Sequence, residues 1–229
     1  MDRAQAFVFD AYGTLFDVHS VATALQAVTS EAEAVSRQWR AKQLEYSWLR
    51  SLMGRYVDFW AVTEEALRFA LKSFAIGVTP AQHSALLKAY LQLSAYPEIP
   101  GILAALAPRP CLILSNGTPQ MLTAAVESSG LAGQFTHLLS ADQVRVYKPD
   151  PRVYALVPEV LGLAKEAVVF VSSNVFDVMG AKAYGFHVAW VNRTQAQADE
   201  LGLAPDLVLS RLDELPQAFP AERTPDERG

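Results

Sequence analysis

The sequence predicts an α/β protein with a doubly wound, mostly parallel core sheet and an all-α insertion after the first strand. Three observations predict it. Short apolar runs alternate with stretches that carry helix-start signals, and most of these runs are continuously apolar, as in strands covered on both faces. No convincing strand occurs between about residues 17 and 96. The length of 229 residues suits one core domain plus a smaller inserted one.

The strands of the core are predicted from apolar, β-branched or aromatic runs. They cover residues 6–9, 111–114, 137–139, 167–171, 187–191 and, more weakly, 206–209. Two intervening helices have clear starts, because Thr118-Pro119 and Asp150-Pro151 each place a capping side chain before a proline at the first helical position. This alternation is typical of a Rossmann-like sheet.

The insertion is predicted as three helices. Residues 31–53 form the first, with apolar side chains near helical spacing at Val35, Trp39, Leu44, Trp48 and Leu52. Residues 58–75 form the second, and Thr79 with Gln82 makes a capping box for the third. Residues 96–101 are the expected return hinge. We therefore expect a core of residues 1–16 and 97–220, an insertion of 17–96 and a flexible polar tail of 221–229.

Composition excludes several functional classes. With 51% hydrophobic and 19% charged residues and a net charge of −5, the chain is expected to have a sizeable core and no nucleic-acid or anionic-membrane partner. One cysteine, no signal-peptide pattern and no apolar run near about 18 residues indicate a cytoplasmic protein without a membrane span. The histidines lack ligand-like pairing, so no zinc site is expected: His19, His83, His137 and His187.

Polar residues follow three of the predicted strands. Asp10 follows the first, Ser115 and Asn116 the second, and a loop from Ser172 to Asp177 a later one. Carboxyl ends of parallel strands share one edge of a sheet, where ligands bind. Each residue alone could simply cap a turn or a helix. Three such clusters at the same kind of position favour a functional site.

The run Asp-Ala-Tyr-Gly-Thr-Leu-Phe-Asp at residues 10–17 resembles the nucleophile loop of the haloacid dehalogenase superfamily. Further markers follow in the superfamily's order: Ser115-Asn116-Gly117, Lys148-Pro149 and the loop ending at Asp177. The helical insertion lies where that superfamily carries its cap domain. The resemblance covers nearly the whole chain and implies that Asp10 is a nucleophile.

Two substitutions distinguish branches of this superfamily. Most members are Mg²⁺-dependent phosphatases with an acid two residues after the nucleophile and a carboxylate cluster for the metal, but here those places hold Tyr12 and Asn174. A halide departs without a proton and needs no metal. The chain is therefore similar to the L-2-haloacid dehalogenase branch, as is the stretch 39–50 with its candidate halide-binding Arg40. This resemblance implies a 2-haloacid substrate, no cofactor, no metal and a homodimer.

The resemblance also implies residue roles. Asp10 attacks the substrate carbon and Asp177 activates the water that hydrolyses the resulting ester. Lys148 keeps Asp10 ionised and orients Asp177. The remaining catalytic positions are Thr14, Ser172 and Asn174. The implied substrate or halide contacts are Arg40, Ser115, Asn116, Tyr12, Phe59, Tyr154 and Phe176, the last standing where the family usually has tryptophan.

Other interpretations stay open at this point. Arg40 could lie on a solvated helix face, and Phe59 and Tyr154 could be core aromatics. The protein could also be a Mg²⁺-dependent phosphatase acting on a small phosphomonoester, or a binding protein that keeps the fold without catalysis. Fluoroacetate, chloroacetate and longer haloacids are all compatible with the sequence.

Overall fold

The computed structural model describes residues 4–18 and 20–220, and within these ranges it contains a six-stranded sheet. Its strands are β1 (Ala6–Phe9), β2 (Cys111–Ser115), β3 (His137–Ser140), β4 (Val168–Ser172), β5 (His187–Val191) and β6 (Leu207–Leu209). The order is β3-β2-β1-β4-β5-β6 and each neighbouring pair is parallel. The predicted doubly wound α/β class is confirmed. The winding changes direction between β1 and β4, which opens a crevice at their carboxyl ends.

Three strands extend one residue beyond their predicted ends, each time to a serine. Ser115 pairs with Ser140, and Ser172 pairs with Trp190, so the backbone ladder continues past the last apolar side chain. The hydrophobic pattern ends at the last apolar residue of each strand, whereas the backbone pairing continues to the serine that follows. These serines therefore combine strand geometry with a polar group at the edge of the sheet.

The helices follow the predicted starts where capping residues are present. They are α1 (Ser20–Leu25), α2 (Ala32–Leu52), α3 (Phe59–Ser73), α4 (Pro80–Ala89), α5 (Ile99–Leu106), α6 (Pro119–Ser128), α7 (Pro151–Leu161), α8 (Val175–Tyr184) and α9 (Leu215–Ala218). The side chains of Thr79, Thr118 and Asp150 each accept a backbone N–H in the first turn, and Thr79 forms the predicted capping box. The sequence did not predict α1, α5 or α9, which are short.

The buried face of α2 differs from the predicted apolar stripe. Its buried residues are Ala32, Val35, Trp39, Gln43 and Ser47. Leu44 and Trp48 are only partly buried, and Leu52 is 84% exposed. The predicted stripe was wrong beyond Trp39 because two polar side chains occupy the buried row and satisfy their hydrogen bonds there.

The two connections between the core and the insertion lie side by side. The Asp17 N–H donates to the Ser94 carbonyl at 2.9 Å, and the Tyr96 N–H donates to the Leu15 carbonyl at 3.0 Å. We propose this paired hinge as the boundary between a core of residues 1–16 and 97–220 and a cap of residues 17–96. The expected hinge at 96–101 is shorter than predicted, because α5 begins at Ile99 with a proline in its first turn.

The expected flexible tail at 221–229 lies outside the described residues, as does His19. Among the helices in the described ranges, none is both long and apolar enough to cross a membrane.

Candidate active site

A small cavity lies at the carboxyl ends of the central strands, between the core and the cap. It is lined by Asp10, Tyr12, Arg40, Leu44, Phe59, Ser115, Asn116, Lys148, Asn174 and Phe176. The core contributes ionisable and polar groups, while α2 and the start of α3 contribute one cation and two apolar side chains. A small anion with an apolar substituent matches this lining.

Asp10, the residue after β1, is buried and held by four donors. Its Oδ2 accepts from Asn174 Nδ2 at 2.7 Å, from Thr14 Oγ1 at 3.1 Å and, more distantly, from Ser172 Oγ at 3.5 Å. Its Oδ1 accepts from Lys148 Nζ at 3.3 Å. Donors from three segments of the chain thus fix the carboxylate in one orientation, with a cation beside it.

Lys148 joins two buried carboxylates. Its Nζ donates to Asp177 Oδ2 at 2.7 Å and to the Leu114 carbonyl at 2.6 Å, in addition to the contact with Asp10. The side chain of Lys148 is 1% exposed and that of Asp177 is fully buried. A buried cation shared by two carboxylates compensates charges that would otherwise be very unfavourable in this part of the core.

The pKa of Asp177 is raised to about 6. Burial is the main cause; the positive charge of Lys148 opposes it, and the negative charge of Asp10 adds to it. The Tyr154 hydroxyl donates to Asp177 Oδ1 at 2.6 Å. Burial and the neighbouring carboxylate raise the pKa of Tyr154 well above its usual value, so it remains a donor.

The cap side of the cavity is organised by a buried polar chain. Arg40 Nη1 donates to Gln43 Oε1 at 2.7 Å, and Gln43 Nε2 donates to Thr63 Oγ1 at 2.8 Å. Thr63 Oγ1 in turn donates to the Phe59 carbonyl at 2.6 Å. Because Gln43 and Thr63 are fully buried, this chain holds the Arg40 guanidinium against α3.

Tyr12 lines the cavity with its phenol buried. Its hydroxyl has no hydrogen-bond partner among the described residues. Burial, followed by the proximity of Tyr90, raises the pKa of Tyr12, so the phenol stays protonated. It is therefore suited to form a wall with one available O–H donor, and unsuited to transfer a proton.

The structure brings the predicted site residues together in two layers. Nine of them line the cavity, and four lie behind it. The four are Thr14, Ser172, Tyr154 and Asp177. Tyr154, expected at the substrate, contacts Asp177 instead, and Phe176 lies against Trp48 with ring centroids 5.3 Å apart. Asn116 is also tied to the core, because its Oδ1 accepts the backbone N–H of Lys148 at 2.9 Å.

Two residues of this site were not predicted. Leu44 lines the cavity, and Gln43 positions Arg40. The spacing of Gln43, four residues after Trp39, was the available signal, because it places the amide on the buried row of α2. Over the described ranges, no group of three histidine, cysteine, aspartate or glutamate side chains is arranged to hold a metal ion.

Comparison with known proteins relates this chain to one family. The model of the haloacid dehalogenase-like hydrolases matches residues 4–185. The chain is 44% identical over 232 residues to the (S)-2-haloacid dehalogenase of Pseudomonas sp. (strain YL), with 100% of each covered. It is 51% identical over 205 residues to the (S)-2-haloacid dehalogenase of Xanthobacter autotrophicus, covering 89% of this chain and 79% of the relative.

One similar solved structure contains a covalently bound ligand. The L-2-haloacid dehalogenase from Xanthobacter autotrophicus with chloropropionic acid covalently bound matches with a TM-score of 0.88 and 45% sequence identity. The match covers 93% of this chain and 97% of that one.

Replacing Lys148 tests the charge balance of the site. Lys148→Met leaves two buried carboxylates without their cation, so we expect the free energy of unfolding at pH 7.5 to fall by about 3–5 kcal/mol. The loss should shrink towards pH 5, because the raised pKa of Asp177 rises further without the cation and the neutral acid avoids a buried charge. Urea unfolding at both pH values measures it.

Lys182→Met is the matched control. Lys182 pairs with Asp206 at 2.6 Å, but with side chains 29% and 22% exposed, so its loss should cost less than about 1 kcal/mol. Equal losses in the two variants would contradict the importance assigned to the buried pairs.

Proposed function

The chain belongs to the haloacid dehalogenase-like hydrolases, and we propose that it cleaves the carbon–halogen bond of short 2-haloalkanoic acids, converting the L-2-haloacid to the D-2-hydroxy acid and halide. The observation that carries this proposal is the placement of the Asp10 carboxylate. This immobilised carboxylate faces a small cavity that combines a cation, Arg40, with apolar walls.

In the first step, Asp10 attacks C2 of the substrate opposite the halogen. A carbon–oxygen bond forms as the carbon–halogen bond breaks, and the halide leaves with the electron pair, which inverts the carbon. Nucleophilic catalysis of this kind divides one difficult displacement into two steps. The donors on Asp10 Oδ2 support it by holding the carboxylate in a fixed direction.

The cavity lining supplies the binding groups. Arg40 and Asn116 stabilise the departing halide, with Phe59 and Phe176 as apolar walls. Ser115 and backbone N–H groups after Asp10 hold the substrate carboxylate, and the Tyr12 hydroxyl offers a further donor.

In the second step, water attacks the carbonyl carbon of the Asp10 ester. Asp177 accepts one proton of the water, and the ester oxygen takes up the other as it leaves as the hydroxyl of the product. The Asp10 carboxylate is restored, and Asp177 releases its proton to the solvent. Each carboxylate oxygen has two acceptor positions, so the bonds from Lys148 and Tyr154 leave Asp177 capacity for a water. Its raised pKa, about 6, suits a general base near neutral pH.

One assay tests the proposed function. Halide release is measured from each enantiomer of 2-chloropropionate with a chelator present, beside phosphate release from a generic phosphomonoester with Mg²⁺. We expect chloride from the (S) enantiomer. Phosphate release without halide release would establish the phosphatase alternative, and silence in both assays would indicate a non-catalytic binding protein.

Asp177→Asn tests the assigned base. The amide cannot accept the proton, so we expect about one halide per active site and an Asp10 ester that accumulates, detected as added mass on the peptide containing Asp10. In the unsubstituted protein, ester hydrolysis should fall as the pH drops through about 6, because protonation of Asp177 removes the active, ionised form. Asp206→Asn, a partly exposed carboxylate, is the control. Repeated turnover by Asp177→Asn at the normal rate would exclude the role.

We also propose a cytoplasmic homodimer. The single cysteine, Cys111, is buried and has no partner for an internal disulfide. The outer face of α2, its C-cap residue and α3 expose four apolar side chains: Leu49, Leu52, Met53 and Phe69, by 43%, 84%, 62% and 36%. A group of exposed apolar side chains on one face is typical of a protein interface.

Leu52→Lys tests this surface. We expect a charged residue there to convert the dimer to a monomer in size-exclusion chromatography with light scattering, because it would be buried without a partner. Leu201→Lys, at a position 65% exposed outside the cap, is the matched control. A Leu52→Lys protein with the mass of the unsubstituted dimer would contradict the assigned interface.

A further inference from the structure

Arg193, two residues after β5, is an arginine outside the cavity that contacts three separate segments. Its Nη1 donates to Ser173 Oγ at 2.8 Å and, with a longer contact of 3.4 Å, to the Gly13 carbonyl. Its Nη2 donates to the Thr14 carbonyl and to Glu98 Oε1, both at 3.1 Å. The Arg193 side chain is 21% exposed, and its Cζ lies 4.0 Å from the centre of the Tyr96 ring.

Two of these segments control the orientation of Asp10. Gly13 and Thr14 form the turn after the nucleophile, where Gly13 has a φ of 87° that favours glycine. Thr14 Oγ1 donates to Asp10 Oδ2 at 3.1 Å and accepts the Ser173 N–H at 2.9 Å. Arg193 binds the same two loops from the other side, through the Gly13 and Thr14 carbonyls and the Ser173 hydroxyl. The hydroxyl of Thr14 thus binds Asp10, while the carbonyl of the same residue binds the Arg193 guanidinium.

The third segment is the hinge. Tyr96 and Glu98 belong to the connection that returns from the cap to the core, where the Tyr96 N–H donates to the Leu15 carbonyl. Arg193 therefore fastens the nucleophile turn to the base of the cap. An arginine suits this position, because its planar fork donates in several fixed directions while the face of the guanidinium stacks on an aromatic ring.

We infer that Arg193 is a positioning residue for the nucleophile: it holds the Gly13–Thr14 turn against the Ser173 loop, and through Thr14 it sets the direction from which Asp10 attacks. This inference rests on the proposed function. Small displacements of a reacting group cost large factors in rate, on the order of 100-fold for about 1 Å. The contacts of Arg193 do not reach the cavity lining, so it should influence the attack and leave substrate binding nearly unchanged.

The experiment measures formation of the Asp10 ester in a single turnover with (S)-2-chloropropionate, together with kcat and KM. We expect Arg193→Met to slow ester formation by about 10- to 100-fold, while KM changes by less than about threefold. Arg193→Lys keeps the charge and loses the fork, so it should recover part of the rate. If Arg193→Met does not fold, the loss is read from Arg193→Lys, which we expect to be slower by about threefold or more.

Arg109→Met is the matched control. Arg109 also donates to backbone carbonyls, those of Leu106 and Phe219, and its Cζ lies 4.8 Å from the centre of the Phe7 ring. It precedes β2, however, and so lies at the amino ends of the strands, away from the cavity. The folded Arg109→Met protein should form the ester at the normal rate.

The outcomes separate the two proposals. No ester and no halide from the unsubstituted protein would refute the proposed function. A normal ester in the unsubstituted protein, with an equal rate in folded Arg193→Met or Arg193→Lys, would overturn the inference alone. Equal slowing by Arg109→Met would also overturn it, because the effect would then be one of general stability.

Discussion

The ion pairs of the buried Lys148 ammonium with Asp10 and Asp177 are the interactions on which the rest of the site depends. The ammonium lies 3.3 Å from Asp10 and 2.7 Å from Asp177, in a region almost closed to solvent. Two ionised carboxylates so close together in the core are tolerable only with a shared cation. Lys148 thereby allows the fixed carboxylate of Asp10 to lie close to a second buried carboxylate, Asp177, whose pKa is raised to about 6.

The site is divided between two structural units with different tasks. The core holds the buried charged groups by bonds from strand ends and loops, whereas the cap adds Arg40 through the hydrogen-bonded chain formed with Gln43 and Thr63. Neither unit contains the full cavity lining. The relative placement of core and cap therefore determines the shape of the cavity. It is held at the hinge beside Tyr96 and by hydrogen bonds away from it, such as that from the Tyr147 hydroxyl to the Val57 carbonyl.

Much of this arrangement could be predicted from the sequence, since a parallel sheet brings the carboxyl ends of its strands to one edge. Asp10, Ser115 and Asp177 were found in that way. Gln43 was missed because a polar residue on a helix suggests a solvent-exposed position until its hydrogen-bond partner on another helix, Thr63, is known. Arg193 was missed for a different reason. Two of its acceptors are backbone carbonyls and a third is the hydroxyl of Ser173, and acceptors of these kinds leave no distinctive residue pattern in the sequence.

The pairing of β1 with β4 has a consequence for folding. Asp10 and Ser172 lie 162 residues apart in the chain, and the whole cap is inserted between them. Closing so long a loop costs conformational entropy before any contact compensates for it, and non-local parallel pairing of this kind is slow to form. Until that central pair of strands has assembled, Asp10 lacks the bonds from Ser172 and Asn174, so its carboxylate becomes fixed and buried only once β1 and β4 have paired.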